Sequence, residues 1–168
     1  TICLASSKGK LVKFNETQAR PLGRTASGVK GIELDDGAKV VGMTTSLEGN
    51  YILVITSRGF GKMSEIGEYR ETKRGATCVT TVNATVKTGK LVAMRAVNGD
   101  EDLMMVTNGG VVIRSPLEQV KVAHRVTQGV KVIRLEDDKQ RVSSITVVPH
   151  EDEGAEEEAA PEAPAEGE

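Results

Sequence analysis

The chain has 168 residues and a mass of 17.9 kDa, room for one domain or a short array of repeats, and with two Phe, two Tyr and no Trp it is poorly equipped to stack single-stranded bases. Its longest apolar run, Tyr51 to Ile55, is far too short to cross a bilayer. The net charge of -2 hides two unlike parts: residues 151–168 hold nine acidic residues and no Lys or Arg, whereas residues 1–150 hold all 22 basic and the other 15 acidic residues, formally +7.

Three segments recur in order along the body. The first repeat, residues 1–50, carries LASSKGKLVK at 4–13, RTASGVK at 24–30 and KVVGM at 39–43. The second, 51–100, carries VITSRGFGKM at 54–63, TKRGAT at 72–77 and KLVAM at 90–94. The third, 101–148, carries VTNGGVVIR at 106–114, RVTQGVK at 125–131 and RVSSI at 141–145. Gly9, Gly59 and Gly110 are 50 and 51 residues apart, and Lys39, Lys90 and Arg141 are 51 and 51 apart. Landmarks that stay in phase at one period define a repeat architecture.

Each repeat reads as about four antiparallel strands. Val, Ile and Thr supply 44 residues, and their branched side chains favour pleated surfaces. Short apolar stretches end at Gly, Asn, Asp or Ser, and no window shows helical periodicity. In the third repeat, strands are expected near 103–107, 111–114, 129–135 and 141–148. Ser7-Lys8-Gly9, Ser57-Arg58-Gly59 and Asn108-Gly109-Gly110 are expected hairpin turns, because Gly accepts a positive φ without strain. Residues 64–74 are the least strand-like, a loop or a short turn of helix. The fold class is therefore all-β: propeller-like blades whose faces stay dry only against neighbours. Three blades cannot close a ring, and Thr1 falls inside an apolar run, so the reading favours the end of a longer array. Residues 149–168 form an acidic tail without large apolar groups, expected to be disordered.

The runs TSRGFGKMS (56–64), EYR (68–70), KRG (73–75), LMMVTNGG (103–110) and RVTQGV (125–130) resemble the C-terminal domain of the DNA gyrase A subunit, and less closely that of topoisomerase IV. The resemblance spans residues 1 to about 148. It implies a β-pinwheel, a disc whose basic rim bends double-stranded DNA. It also implies partners, namely the remainder of the gyrase A subunit together with the gyrase B subunit. It further implies a cytoplasmic, nucleoid-associated location in a bacterium, and ATP and Mg²⁺ used by the parent complex, with no cofactor in this segment. The family's heptapeptide Gln-Arg-Arg-Gly-Gly-Lys-Gly is absent here, and neither Tyr51 nor Tyr69 matches the context of the DNA-cleaving tyrosine. The segment is thus expected to bind DNA without cleaving it, both tyrosines serving in packing.

DNA bending needs cations spread along an edge, each displacing condensed counterions from a phosphate. The candidates are Lys8, Lys10 and Lys13 in the first repeat; Arg58, Lys62, Arg70, Lys73 and Arg74 in the second; Arg114, Lys121 and Arg125 in the third. Met63 stands where the neighbouring repeats have Lys13 and Arg114, with Lys62 beside it either to compensate or to face the other way. Lys39, Lys90 and Arg141 read as strand-edge charges that discourage stray pairing as often as DNA contacts. His124 and His150 lack partners at metal-ligand spacing. The acidic clusters 100–102 and 136–138 miss the EF-hand pattern, and GFGK at 59–62 is no Walker loop. Cys3 and Cys78 form no CxxC pair and are expected as free thiols. The competing reading is a propeller-type protein-interaction scaffold, working through loop pockets instead of a charged rim.

Overall fold

The computed structural model describes residues 1–151; the disorder expected of the acidic tail beyond Glu151 falls outside the described residues. Eleven strands follow one another: β1 (Ile2–Ser6), β2 (Lys10–Phe14), β3 (Val40–Thr45), β4 (Tyr51–Thr56), β5 (Phe60–Glu65), β6 (Val79–Thr80), β7 (Leu91–Val97), β8 (Asp102–Thr107), β9 (Val112–Pro116), β10 (Val130–Lys131) and β11 (Val142–Val148). The other regular elements among the described residues are three 3₁₀ turns, Glu16–Gln18, Ile66–Glu68 and Leu117–Gln119. The second lies inside the stretch 64–74 that lacks a strand pattern.

The hairpins form where the glycines predict them. Gly9, Gly59 and Gly110 have φ of +77°, +80° and +79°, and each donates its N–H to the carbonyl three residues back, Ser6, Thr56 or Thr107, at 3.0 Å. Two of these glycines have a second reason to lack a side chain. The N–H groups of Thr81 and Val82 converge on the Gly9 carbonyl, and those of Val132 and Ile133 on the Gly59 carbonyl. A Cβ at Gly9 would lie 2.4 Å from Val82 O, and one at Gly59 would lie 2.5 Å from Ile133 Cγ2.

That convergence reveals how the sheets are assembled. The strand orders are β3-β1-β2-β6, β10-β5-β4-β7 and β11-β8-β9, all neighbours antiparallel. A repeat therefore does not keep all its strands. Val79–Thr80 of the second repeat completes the first blade, with Lys10 opposite Thr80 and Leu11 opposite Val79. Val130–Lys131 of the third repeat completes the second blade. The expected strand at 129–135 exists as two residues, and it belongs to its neighbour's sheet.

Strand β4 shows why the blades need one another. Ile52, Leu53, Val54 and Ile55 are all fully buried, although strand side chains alternate between faces. Leu53 and Ile55 pack with Leu103, Met105 and Val97 toward the third blade. Ile52 and Val54 pack with Cys3, Ala5, Leu11, Leu91 and Met94 toward the first. Each fully buried Leu, Ile or Val stabilises by about 1.5–3 kcal/mol, so the middle blade draws stability from both sides. The edge strands β3, β7 and β11 pack in succession; the opposite edges of the first two blades carry the exchanged strands β6 and β10, and that of the third is β9. Each near-edge pairing breaks register at one place, between Ala5/Ser6, Ile55/Thr56 and Val142/Ser144, a repeated bulge that bends the strand.

Tyr69 is buried, and its hydroxyl lies 2.6 Å from Thr81 Oγ1. Cys3 is a buried free thiol, pushed up to about 11 by desolvation, and Cys78 is half-buried.

Candidate nucleic-acid interface

The outer edge of a blade is where the next repeat comes to rest. After its 3₁₀ turn, the second repeat runs back along β2: Thr72 donates its N–H to Lys13 O at 2.8 Å, and further on Thr81 reaches Gly9 O at 2.8 Å. The third repeat does the same along β5. Met63 N–H reaches Lys121 O at 3.0 Å, Ala123 N–H reaches Met63 O at 2.8 Å, and Val132 N–H reaches Gly59 O at 2.8 Å. We call these segments straps. They carry five of the cations expected at a DNA-binding rim: Arg70, Lys73 and Arg74 on the first blade's strap, Lys121 and Arg125 on the second's. Arg70, Lys73 and Lys121 are the outward-facing members, and all three are exposed.

The two strap arginines are equivalent and make the same link. Arg74 Nη1 donates to Lys30 O, and its Nε donates to Gln18 O at 2.9 Å. Arg125, 51 residues later, donates Nη1 to Thr80 O at 2.9 Å. Lys30 and Thr80 are themselves equivalent, 50 residues apart. Each strap is thereby stapled to the corresponding segment of the repeat before it. Both arginines keep some exposure, so a guanidinium with five N–H donors has some left for solvent or a ligand.

The hairpin turns form a second cationic region. Lys8 and Lys10 line a cleft of about 520 Å³ between the first and second blades, facing Lys90. Arg58 lines the equivalent cleft of about 550 Å³ between the second and third, with Lys87, Lys131 and Arg141. Lys10 pairs with Asp35 at 3.0 Å, and Lys8 donates to Asp36 O. The second cleft also holds Glu136, Asp137 and Asp138, which oppose its positive charge. Backbone bonds explain the regular spacing of Lys39, Lys90 and Arg141: their carbonyls accept the N–H of Ser7, Ser57 and Asn108 at 2.8, 2.8 and 2.9 Å.

Lys62 is a correction. It is 0% exposed, at the middle of β5 opposite Val54, and its ammonium donates to His124 O at 2.7 Å and Arg125 O at 2.6 Å. Desolvation pushes it down to about 8. The spacing from Gly59 puts Lys62 in register with Val12 and Ile113, a core-facing place, and that was the available signal. Met63 is also buried, so neither side chain supplies the exposed charge that Lys13 and Arg114 were expected to share with this slot.

Lys13 and Arg114 are engaged as well. Lys13 Nζ donates to Ile66 O at 3.0 Å. Arg114 Nε meets Asp102 at 2.7 Å, and its Nη1 meets Glu151 at 3.0 Å. Asp102 also lies 2.7 Å from His150 Nδ1. The His150 hydrogen bond foremost, then Arg114, holds the Asp102 carboxyl below its ordinary range despite desolvation. His124 has a carboxylate neighbour too, Glu68, at 3.2 Å. Both pairings join residues far apart in sequence, which spacing could not show. Among the described residues no three His, Cys, Asp or Glu side chains converge as metal ligands, and no helix is long and apolar enough to cross a membrane.

Small antiparallel sheets packed in succession through the edge strands β3, β7 and β11, the first two completed by a strand from the next repeat, define a propeller-type repeat of the β-pinwheel kind. A family model described as the DNA gyrase C-terminal domain, beta-propeller, matches residues 1–46, 50–98 and 101–149. The chain belongs to that family. It is 43% identical over 146 residues to the DNA gyrase A subunit of Ureaplasma parvum serovar 3 and 42% identical over 149 residues to that of Staphylococcus aureus, matches covering 87% and 88% of this chain. It spans 17% of the length of those relatives. Its fold matches a solved DNA gyrase A C-terminal domain with a TM-score of 0.80 and 27% identity, over 88% of this chain and 50% of that one. The C-terminal domain of DNA topoisomerase IV matches in fold, with a TM-score of 0.81 at 21% identity, over 88% of this chain and 46% of that one. The chain is thus of the C-terminal domain type found in the A subunit of a type II topoisomerase.

Proposed function

We propose that this chain binds and wraps double-stranded DNA on behalf of a type II topoisomerase, supporting ATP-dependent negative supercoiling while contributing no catalytic residue. Its partners are the remainder of the gyrase A subunit together with the gyrase B subunit. They supply DNA cleavage and nucleotide hydrolysis with ATP and Mg²⁺. The observation that carries this reading is the recurrence of basic straps along the outer edges of consecutive blades. Equivalent cations on successive sheets present charge at regular intervals, as a phosphate backbone does. Bending a duplex strongly over 20–30 base pairs costs on the order of 1–6 kcal/mol, which several phosphate contacts offset.

Binding is tested with duplexes of increasing length across a salt series. Contact with about six phosphates gives a slope of log affinity against log salt near -5, and wrapping gives affinity that grows with length. The protein-interaction alternative draws on β9, whose outer edge has no partner strand among the described residues and where Val112 is 54% exposed. It predicts peptide binding at that edge and indifference to DNA.

A further inference from the structure

A buried ammonium is among the costliest groups a fold can carry unless its protons are bonded. Lys62 is wholly buried, yet the fold does not need an ammonium there, because Val12 and Ile113 fill the equivalent place in the other two blades. Its donors are aimed at one target: the carbonyls of His124 and Arg125, adjacent residues of the strap, at 2.7 and 2.6 Å. Other groups of the second blade converge on the same stretch. Ser64 Oγ donates to Ala123 O at 2.7 Å, and the Glu68 carboxylate accepts the Arg125 N–H at 3.0 Å. The first blade ties its own strap at this level through Thr72 and Lys13 O, by backbone at 2.8 Å and by hydroxyl at 3.2 Å.

What the clamped stretch then does lies across the boundary between blades. Arg125 reaches Thr80 O on β6, the outermost strand of the first blade, and Asn83 N–H reaches Thr127 O at 3.4 Å. A continuous path therefore runs from Lys62 in the second blade, through the strap, to the outer edge of the first.

We propose that Lys62 is a positioning residue for DNA bending: by holding the His124 and Arg125 carbonyls it seats the second blade's strap so that Arg125 staples that blade to the first, and this fixes the spacing between the two sets of strap cations. The consequence for DNA rests on the proposed function; the seating of the strap does not. Lys62 itself touches no DNA. A misplaced strap keeps its cations, so short-range attraction to phosphate persists while the curvature that a long duplex must follow is lost.

Lys62→Met removes the donors and keeps the volume, and Lys62→Val copies the first blade. Three readouts are made on the full chain: amide exchange, affinity for a short duplex, and end-to-end distance of a duplex well under the persistence length of about 150 base pairs. Both variants are expected to speed exchange at the Ala123 and Arg125 amides by about tenfold or more and to leave Thr72 on the first blade unchanged. Short-duplex affinity stays within about twofold, while bending of the longer duplex falls. Arg125→Gln lowers bending as well, and adding Lys62→Met to it lowers bending no further, as coupled residues require. Unchanged exchange at Ala123 and Arg125 overturns the seating role, and additive losses in the double variant overturn the link through Arg125. If neither Lys62 variant folds, the lysine is a folding requirement and the proposal fails. If the unaltered chain neither binds nor bends DNA, the proposed function fails, and the exchange at Ala123 and Arg125 still decides the seating role.

Discussion

The buried Lys62 ammonium contributes to stability in a way that grows with pH in the alkaline range. In the folded chain its pKa lies near 8, against 10.5 for the ordinary lysine of an unfolded chain. Between those values the unfolded chain binds more protons than the folded one, so the free energy of unfolding increases as pH increases. Below pH 8 the cost of burying the charge is fully present; it is progressively relieved above pH 8 and fully relieved beyond pH 10.5. The whole shift corresponds to about 3 kcal/mol, of which about 1 kcal/mol is recovered between pH 7 and pH 9. Other groups titrate in the alkaline range with the opposite sign. Burial raises Tyr69 and Cys3, whose deprotonation opposes folding. Lys62→Met separates the contributions, because it leaves those groups in place. Urea unfolding of both proteins at several pH values from neutral to mildly alkaline gives the difference directly. The unaltered chain is expected to gain on the variant by about 1 kcal/mol over that span. A difference that stays flat, or that moves against the unaltered chain, refutes the argument that Lys62 is a charge held in the interior at a cost.

Gly59→Ala and Gly37→Ala separate close approach from backbone strain. Both glycines have positive φ, but a Cβ at Gly59 strikes Ile133 whereas one at Gly37 meets nothing within 4 Å. Chemical denaturation is expected to show a loss of about 1 kcal/mol at Gly37, from the backbone alone, and clearly more at Gly59. If the nine carboxylates of residues 151–168 compete with DNA for the basic straps, removing them is expected to raise affinity at low salt; an unchanged affinity removes that role from the tail. The Asp102 carboxyl is held below its ordinary value of 3.8 by His150 and Arg114. Its contribution is present above that value and is lost as pH falls through the lower folded pKa, so His150 ring resonances are expected to lose their folded shifts in acid ahead of the core, and Asp102→Asn abolishes that step.

The repeat, the hairpins and the all-β class were legible because each depends on one residue whose backbone requirement is local. Gly9, Gly59 and Gly110 mark their turns by allowing a positive φ that other residues resist. The strand exchange was not legible. A partner of two residues, such as Val79–Thr80, is too short to leave an alternating pattern, and nothing in its own sequence states which sheet it joins. The strap arginines were picked out by recurrence, but their links to Lys30 O and Thr80 O end on backbone carbonyls, which carry no residue signature. At Lys62 charge and register point in opposite directions: a lysine suggests the surface, whereas alignment with Val12 and Ile113 places it in the core, and only a donor aimed at two carbonyls makes that tolerable. Lys30 and Lys131, each following Gly-Val in its repeat, are exposed cations that the same recurrence could have added.

If straps on consecutive blades form a path for duplex DNA, removing their outward cations must weaken that path in a countable way. Affinity for a short and a long duplex is measured over a salt series, with the unaltered chain and with Arg70, Lys73 and Lys121 all changed to Ala. The expected result is a salt slope near -5 for about six phosphates, tighter binding to the longer duplex, and a slope shallower by about three in the triple variant. A slope that does not depend on those three residues, or affinity indifferent to duplex length, rules the path out.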